Sequence, residues 1–189
     1  MYRHLRNQKA YRKRGLAGND RRGQISNKTS IHLRPVDIEQ RHKLGGIEGD
    51  TIIGRHHKGA VLSLVERKSL CVWLRPLGKR TAKHAAQACV DAISGVHARR
   101  ITFDNGKEFT LHAVIAHGTG ADVYFADPYC SNQRARNENT NGLIRQYLPK
   151  SMRLGQLTLA EVMRIQNGLN ARPRRSLGWK TPAQVLSSF

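Results

Sequence analysis

The sequence contains no long apolar run and only three cysteines. No stretch approaches the ~18 consecutive apolar residues that a bilayer-spanning helix requires, so we expect no membrane segment. Cys71, Cys89 and Cys130 are widely spaced and form no Cys-x-x-Cys pair, which argues against a disulfide framework or a zinc finger. Residues 1–14 are basic and no apolar stretch follows them, unlike a secretory signal. We therefore expect a cytoplasmic protein.

Acidic residues are scarce as well. Thirteen Asp and Glu stand against 33 Lys and Arg, which gives a formal net charge of +20 and a sequence pI near 10.9. Residues 1–45 hold twelve basic and three acidic residues, and residues 46–189 hold twenty-one and ten. A surplus that covers the whole chain favours a polyanionic partner, and nucleic acid is the usual one. We expect a nucleoid-associated protein; a surface that only keeps the protein soluble is the alternative.

Residues 1–45 differ from the rest of the chain. They carry Arg-Lys-Arg at positions 12–14, Arg21-Arg22, several glycines and apolar residues without a regular period. This composition predicts a flexible or partly helical basic arm that lies along a phosphate backbone. A disordered linker to a preceding segment is the alternative interpretation.

Residues 46–189 show the pattern of one folded domain, in which short β-type runs are followed by helical periodicity. Strands are predicted at 47–53, 60–66, 70–77, 100–103 and 122–126. Helices are predicted at 81–96, 108–116, 132–148 and 158–171, with a short one that opens at Thr181-Pro182. The order predicts an α/β domain, a mixed sheet flanked by helices.

Two of the few carboxylates occupy positions that are typical of chemistry. Asp50 lies within the first predicted strand, where a charge is costly unless it has a function. Asp104 ends the fourth, and the carboxyl ends of strands are where α/β sheets present their sites. In a basic protein such acids are useful when a divalent cation lies between them and a phosphate. If the two strands are neighbours, Asp50 and Asp104 converge on one metal.

Glu138 is the candidate for a third carboxylate. On the predicted helix 132–148, Arg134, Glu138, Asn141, Gly142 and Arg145 fall within about 60° of one direction. Leu143 and Tyr147 fall on the opposite side, which we expect to pack on the sheet. The alternative is that Glu138 is an ordinary i,i+4 partner of Arg134.

Six short motifs occur in order along the chain. They are Glu-Gly-Asp50, Leu-Val-Glu-Arg-Lys68, Phe-Asp-Asn-Gly-Lys-Glu-Phe109, Tyr-Phe-Ala-Asp-Pro-Tyr129, Asn-Glu-Asn-Thr-Asn-Gly142 and Asn-Ala-Arg-Pro-Arg174. Each motif alone is weak, but six in register are specific, and together they resemble the integrase-core domain of insertion-sequence transposases of the IS-thirty family. The resemblance runs from about residue 30 to the end of the chain, and the 34 positions from Asp104 to Glu138 match the family's DDE spacing.

The resemblance implies a ribonuclease-H-like fold in which Asp50, Asp104 and Glu138 hold two Mg²⁺ (or Mn²⁺) ions. It implies DNA cleavage at a transposon end, followed by attack of the freed 3′-hydroxyl on target DNA. Whether the chain forms a homo-oligomer on DNA is left open. Motif positions beside the metals, expected to shape the site or touch DNA, are Asn105, Gly106, Asn137, Asn139 and Asn141. Expected phosphate contacts are Arg134, Arg145 and Lys150, for which ordinary surface cations are the alternative.

The sequence also departs from the family pattern. Residues 130–135 lack the usual proline, tryptophan and glycine, Ile47 replaces a tryptophan, and Ser151 replaces a glycine. Members carry N-terminal helix-turn-helix domains, and Met1 falls in what resembles the linker after them, so we expect a fragment or a truncated product. Two alternatives to an active enzyme follow: a remnant that only binds DNA without specificity, and a ribonuclease-H-like nuclease without strand transfer.

Overall fold

The computed structural model describes residues 25–35, 43–128 and 130–188. The strands are β1 (Gly46–Ile53), β2 (Ala60–Glu66), β3 (Val72–Leu77), β4 (Arg100–Phe103) and β5 (Asp122–Phe125). The α-helices in these residues are α1 (Ala82–Ala92), α2 (His112–Thr119), α3 (Ala135–Ile144), α4 (Leu159–Asn170) and α5 (Pro182–Ser187). All the predicted strands are confirmed, with bounds that differ from the prediction by at most two residues.

The strands form one mixed sheet in the order β3-β2-β1-β4-β5. The first three pair antiparallel as the predicted meander, whereas β4 pairs with β1 and β5 pairs with β4 in parallel. The register places Glu48 of β1 opposite Thr102 of β4. Because side chains alternate between the two faces of a sheet, Asp50 and Asp104, each two positions further along, belong to the same face.

Two of the predicted helices differ from the prediction at their ends. The Thr81 side chain caps α1 as predicted, but α1 ends at Ala92, and Gly95 with φ +77° continues the turn. The predicted helix 108–116 divides into a 3-10 turn, Lys107–Phe109, and α2, which ends at Gly120 in the left-handed conformation. Glycine is favoured at such helix ends because it lacks a Cβ.

The predicted helix 132–148 is shorter in the structure. It starts as a 3-10 turn, Ser131–Arg134, and the α-helical part ends at Ile144; Asn141 and Gly142 are weak helix formers in its last turn. The capping box of α4, Thr158 with Glu161, is confirmed, and Pro182 opens α5. Within the described ranges, no helix has the length and apolar character needed to cross a membrane.

Each face of the sheet covers its own hydrophobic core. On one face, side chains such as Ile47, Leu62 and Phe103 pack with those of α1 and α2. On the other, Ile52, Val61 and Leu74 pack with apolar residues of α3 and α4 and of the segment between them, which are Ile144, Leu148, Leu154, Val162 and Leu169. Asp50 and Asp104 belong to this second face, at the end of the sheet beside α3.

The described part of the predicted arm packs on the domain. Ile25 and Ile31 are buried, and Phe125 of β5 donates its backbone N–H to Thr29 O at 2.9 Å. The Arg34 guanidinium donates to Thr102 Oγ1 at 3.1 Å. Residues 25–35 are thus not a free arm but a cover for the β5 edge; the remainder of the predicted arm, 1–24 and 36–42, lies outside the described residues, as does Tyr129.

Candidate active site

Asp50 and Asp104 face the same cationic group. The Arg134 guanidinium places Nη1 3.6 Å from Asp50 Oδ2 and Nη2 3.7 Å from Asp104 Oδ2. Its Nη1 also donates to the backbone oxygen of Gly49 at 3.2 Å. The two carboxylates, 54 positions apart in the sequence, therefore lie on either side of one positive charge, Asp50 within β1 and Asp104 directly after β4.

Short hydrogen bonds fix the orientation of both carboxylates. Asp50 Oδ1 accepts from the Thr51 N–H at 2.8 Å, and Asp50 Oδ2 accepts from Asn141 Nδ2 at 2.9 Å. Asp104 Oδ1 accepts from the Gly106 N–H at 3.0 Å. A Cβ at Gly106 would lie 2.9 Å from Asp104 Oδ1, so the glycine of the Asp-Asn-Gly motif leaves room for this carboxylate.

The electrostatics of Asp50 favour a nearby cation. Burial raises the pKa of Asp50 to about 6; the Arg134 charge opposes the shift, and the neighbouring Asp104 adds to it. A buried carboxylate beside a second acid gains from a positive charge placed between the two. Oxygen ligands of this kind suit Mg²⁺, and both Oδ2 atoms already face one point. Asp50 and Asp104 therefore fit a divalent-cation site.

Glu138 is not brought to this point. Its side chain is exposed on α3, one helical turn after Arg134. Among residues 25–35, 43–128 and 130–188, no three His, Cys, Asp or Glu side chains are grouped closely enough to hold a metal ion. The structure thus pairs two of the three predicted ligands and leaves the third on the adjoining helix surface.

Helix α3 is held on the sheet by polar contacts. The Asn137 N–H donates to Glu48 Oε2 at 2.9 Å, and Asn137 Nδ2 donates to the Glu48 backbone oxygen at 3.0 Å. Glu48 is 1% exposed and forms an ion pair with Arg67 at 3.0 Å. The expectation that Leu143 and Tyr147 form the packing face is confirmed in part: Leu143 is partly buried against the second core, whereas Tyr147 is 46% exposed. The buried side is Asn137, Thr140 and Ile144.

Asn105, Arg134, Asn141 and Arg145, four of the residues expected to contact DNA, have partners inside the fold. Arg134 is 8% exposed between the aspartates, and Asn141 binds Asp50 and accepts from Ser63 Oγ at 2.9 Å. Arg145 donates to the backbone oxygens of Ile53 and Leu148. Asn105 donates to Ala126 O and accepts from Lys28 Nζ. Lys150 and Asn139 are exposed.

The altered loop before α3 remains tied to the sheet. Gln133 accepts from the Asp127 N–H and donates to Asp127 Oδ2, both at 2.8 Å. His32 lies 2.7 Å from the same carboxylate oxygen. The residues that follow β5 are thus connected to the 3-10 turn that leads into Arg134, without the proline, tryptophan and glycine of the family pattern.

Glu108 is a buried acid beside the site to which the sequence analysis gave no role. Its carboxylate accepts from Arg80 through two hydrogen bonds of 3.0 Å and from Thr51 Oγ1 at 2.6 Å. It therefore links the end of β1, through Thr51, to the chain after β3 and β4. The sequence does contain a signal for this role. Glu108 lies four residues after Asp104, in Asp-Asn-Gly-Lys-Glu108, and is followed by the apolar residue Phe109.

We predict that Glu108 makes the stability of the domain fall in acid. Burial raises its pKa, but the hydrogen bonds from Arg80 and Thr51 outweigh burial, so its pKa lies below the ordinary 4.5. The unfolded chain then takes up the proton first. The stabilisation is therefore complete above about pH 4.5 and is lost as pH falls through the folded-state pKa.

Urea unfolding at a series of pH values measures this effect. The stability difference between wild type and Glu108→Gln should be constant near neutral pH and shrink below about pH 4.5. Thr51→Val, which removes one hydrogen bond to the carboxylate, should make the total change with pH smaller, because the folded-state pKa of Glu108 then lies closer to that of the unfolded chain. A difference that does not change with pH would contradict the assignment.

Comparisons with known proteins find transposases of insertion sequences. No protein-family profile matches the chain. The transposase for insertion sequence element IS4351 of Bacteroides fragilis is 43% identical over an alignment of 192 positions, which covers 100% of this chain and 59% of that protein. The transposase for IS1086 of Cupriavidus metallidurans is 42% identical over 90% of this chain and 51% of its own. Transposase InsI for IS30C of Escherichia coli is 38% identical over 86% and 43%.

A solved structure supports the fold. The catalytic core domain of BIV integrase has a TM-score of 0.57 with this chain, covering 76% of it and 94% of the integrase domain at 18% identity. The chain spans about half the length of the curated relatives it matches. Over most or all of its length it is similar to transposases of insertion sequences, and its described residues have the predicted α/β fold of an integrase catalytic core, a ribonuclease-H-like mixed sheet flanked by helices.

Proposed function

We propose that the chain is the catalytic core of a DNA transposase, which cleaves phosphodiester bonds and transfers strands with divalent metal ions. The observation that carries this proposal is the pair Asp50 and Asp104, whose carboxylates flank one cation position at the ends of parallel strands. The net charge of +20 supplies the attraction to DNA that such a site needs.

Asp50, Asp104 and Glu138 are the proposed ligands of two Mg²⁺ (or Mn²⁺) ions. Bound ions of this kind activate the attacking oxygen and stabilise the leaving oxygen of a phosphodiester. Thr51, Gly106 and Asn141 orient the two aspartates through the hydrogen bonds described above. Glu138 lies on the exposed side of α3, so it completes the set only when its side chain turns toward the aspartates.

DNA is the proposed partner, both as transposon ends and as target. Lys150 is exposed after α3 and is the proposed phosphate contact on this side of the fold. Arg145 and Asn105 donate hydrogen bonds to backbone oxygens of the protein, and we propose that they shape the surface that DNA contacts. We place the protein in the cytoplasm at the nucleoid, where a homo-oligomer on DNA would bring two transposon ends together.

Asp104→Asn should abolish DNA cleavage. Removing a metal-binding carboxylate takes away several kcal/mol of transition-state stabilisation, which corresponds to a loss of at least about a hundredfold in rate. Nicking of supercoiled plasmid and joining of pre-cut transposon ends, each with Mg²⁺ or Mn²⁺, measure the two reactions.

The matched control is Asp91→Asn, which makes the same chemical change on the exposed side of α1 and should leave both reactions intact. Nicking that is equal in wild type and Asp104→Asn would contradict the proposal. Salt-sensitive DNA binding with neither reaction would indicate the non-catalytic remnant, and cleavage of RNA–DNA hybrids without joined products would indicate the nuclease.

A further inference from the structure

Arg134 is buried between two acids, a position that the sequence pattern does not predict. A phosphate-binding arginine is expected at the surface, yet this guanidinium is 8% exposed and lies between the two aspartates. Its distances to the carboxylates, 3.6 and 3.7 Å, are those of an ion pair and not of the short paired hydrogen bonds that arginine forms with a carboxylate. The guanidinium is therefore close to both carboxylates, but the long distances leave it open to replacement by another cation.

We propose that Arg134 is an internal counter-cation that competes with a divalent ion for Asp50 and Asp104. This inference rests on the proposed function, which makes the two aspartates metal ligands. A guanidinium and a divalent ion cannot both lie within about 4 Å of the same carboxylate oxygens, because like charges at that distance repel strongly in a partly buried site. Binding of the ion therefore requires the arginine side chain to leave.

The displaced guanidinium stays beside the site. Arg134 immediately precedes α3, one helical turn before Glu138, so rotation of its side chain carries the charge toward the exposed surface on which Glu138 lies. There it can bind a DNA phosphate. Binding of the metal and binding of DNA are thus coupled. Metal binding releases a DNA-binding cation, and by thermodynamic reciprocity DNA strengthens metal binding.

Titration calorimetry with Mn²⁺, in the absence of DNA, tests the competition without measuring activity. Arg134→Gln should bind Mn²⁺ roughly tenfold more tightly than wild type, because the ion no longer displaces a charge. Arg134→Lys keeps a competing cation and should stay near wild type. Arg164→Gln makes the same charge change on the exposed side of α4 and should have no effect. Circular dichroism verifies that each variant is folded.

The outcomes separate this inference from the proposed function. Equal or weaker Mn²⁺ binding by folded Arg134→Gln, with wild type binding well, overturns the competition and leaves the metal site intact. Wild type and Arg134→Gln that both fail to bind Mn²⁺ overturn the metal site itself. If Arg134→Gln does not fold, Arg134→Ala takes its place. Tighter Mn²⁺ binding by Arg134→Ala supports the competition, and unchanged binding overturns it.

A second inference comes from the loop between α4 and α5. Trp179 is 70% exposed, whereas Trp73 is 8% exposed. Gly178 and Trp179 both have positive φ, +61° and +66°, a conformation that is unusual for a bulky side chain and tends to occur at functional positions. Two backbone hydrogen bonds hold the turn, Trp179 N to Arg174 O at 2.9 Å and Arg174 N to Lys180 O at 3.1 Å.

The charged residues near this indole in the sequence are all cationic. Arg172, Arg175 and Lys180 are exposed around it, and the sequence has no acidic residue after Glu161. An exposed aromatic ring among cations is the combination that binds single-stranded nucleic acid, since the ring stacks on a base and the cations follow the phosphates. We propose that Trp179 stacks on an unpaired base of DNA; this rests on DNA being the partner in the proposed function.

The two tryptophans allow a direct test with a dye-labelled single-stranded oligonucleotide. Binding should quench the fluorescence of Trp179, and Trp179→Ala should weaken the affinity measured by anisotropy roughly tenfold, the size of one stacking contact. Leu159→Ala removes another exposed apolar side chain, 52% exposed at the start of α4, and should leave the affinity unchanged.

An affinity equal in wild type and Trp179→Ala overturns the stacking contact while DNA remains the partner. No binding of the oligonucleotide or of duplex DNA by wild type overturns the proposed partner. If Trp179→Ala loses self-association in light scattering and keeps its DNA affinity, the indole belongs to a contact between copies of the chain, and the stacking proposal is wrong.

Discussion

The burial of the Asp50 carboxylate beside a second acid is the constraint on which this site depends. Burial raises the pKa of Asp50 to about 6, the Arg134 charge opposes the shift and the neighbouring Asp104 adds to it. Arg134 lies 3.6 and 3.7 Å from the two carboxylates. The hydrogen bonds from Asn141 to Asp50 and from Gly106 to Asp104 orient both groups toward this cation.

Helix α3 connects the fold to the site. Its contact with the sheet combines an apolar part, Ile144 in the second core, with the buried pair of Asn137 and Glu48. A buried acid that is paired with Arg67 and receives a backbone N–H fixes the helix in one register, because a shift of one residue would leave a charge without a partner. This register holds Arg134 beside the aspartates and leaves Glu138 on the exposed side of α3.

The sequence predicts the strands well because alternation and turn residues are local signals; it also predicts the caps at Thr81 and Thr158 for the same reason. It does not predict which side of α3 faces the sheet. Apolar periodicity favours Leu143 and Tyr147, but only Leu143 packs against the second core; the sheet presents Glu48 and Asp50 beside α3, so Asn137 and Asn141 share the contact with the apolar residues. The position of Arg134 is likewise decided by two acids that are distant in the chain, and no local pattern contains that information.

Affinity cleavage with iron tests the central claim, that these acids bind divalent ions. Fe²⁺ takes the place of Mg²⁺ at oxygen sites and, with ascorbate and peroxide, cuts the polypeptide next to the bound ion. We predict cuts close to residues 50, 104 and 138 that excess Mg²⁺ suppresses and that Asp50→Asn removes. Cuts confined to other parts of the chain, or cuts that Mg²⁺ does not affect, would contradict the account.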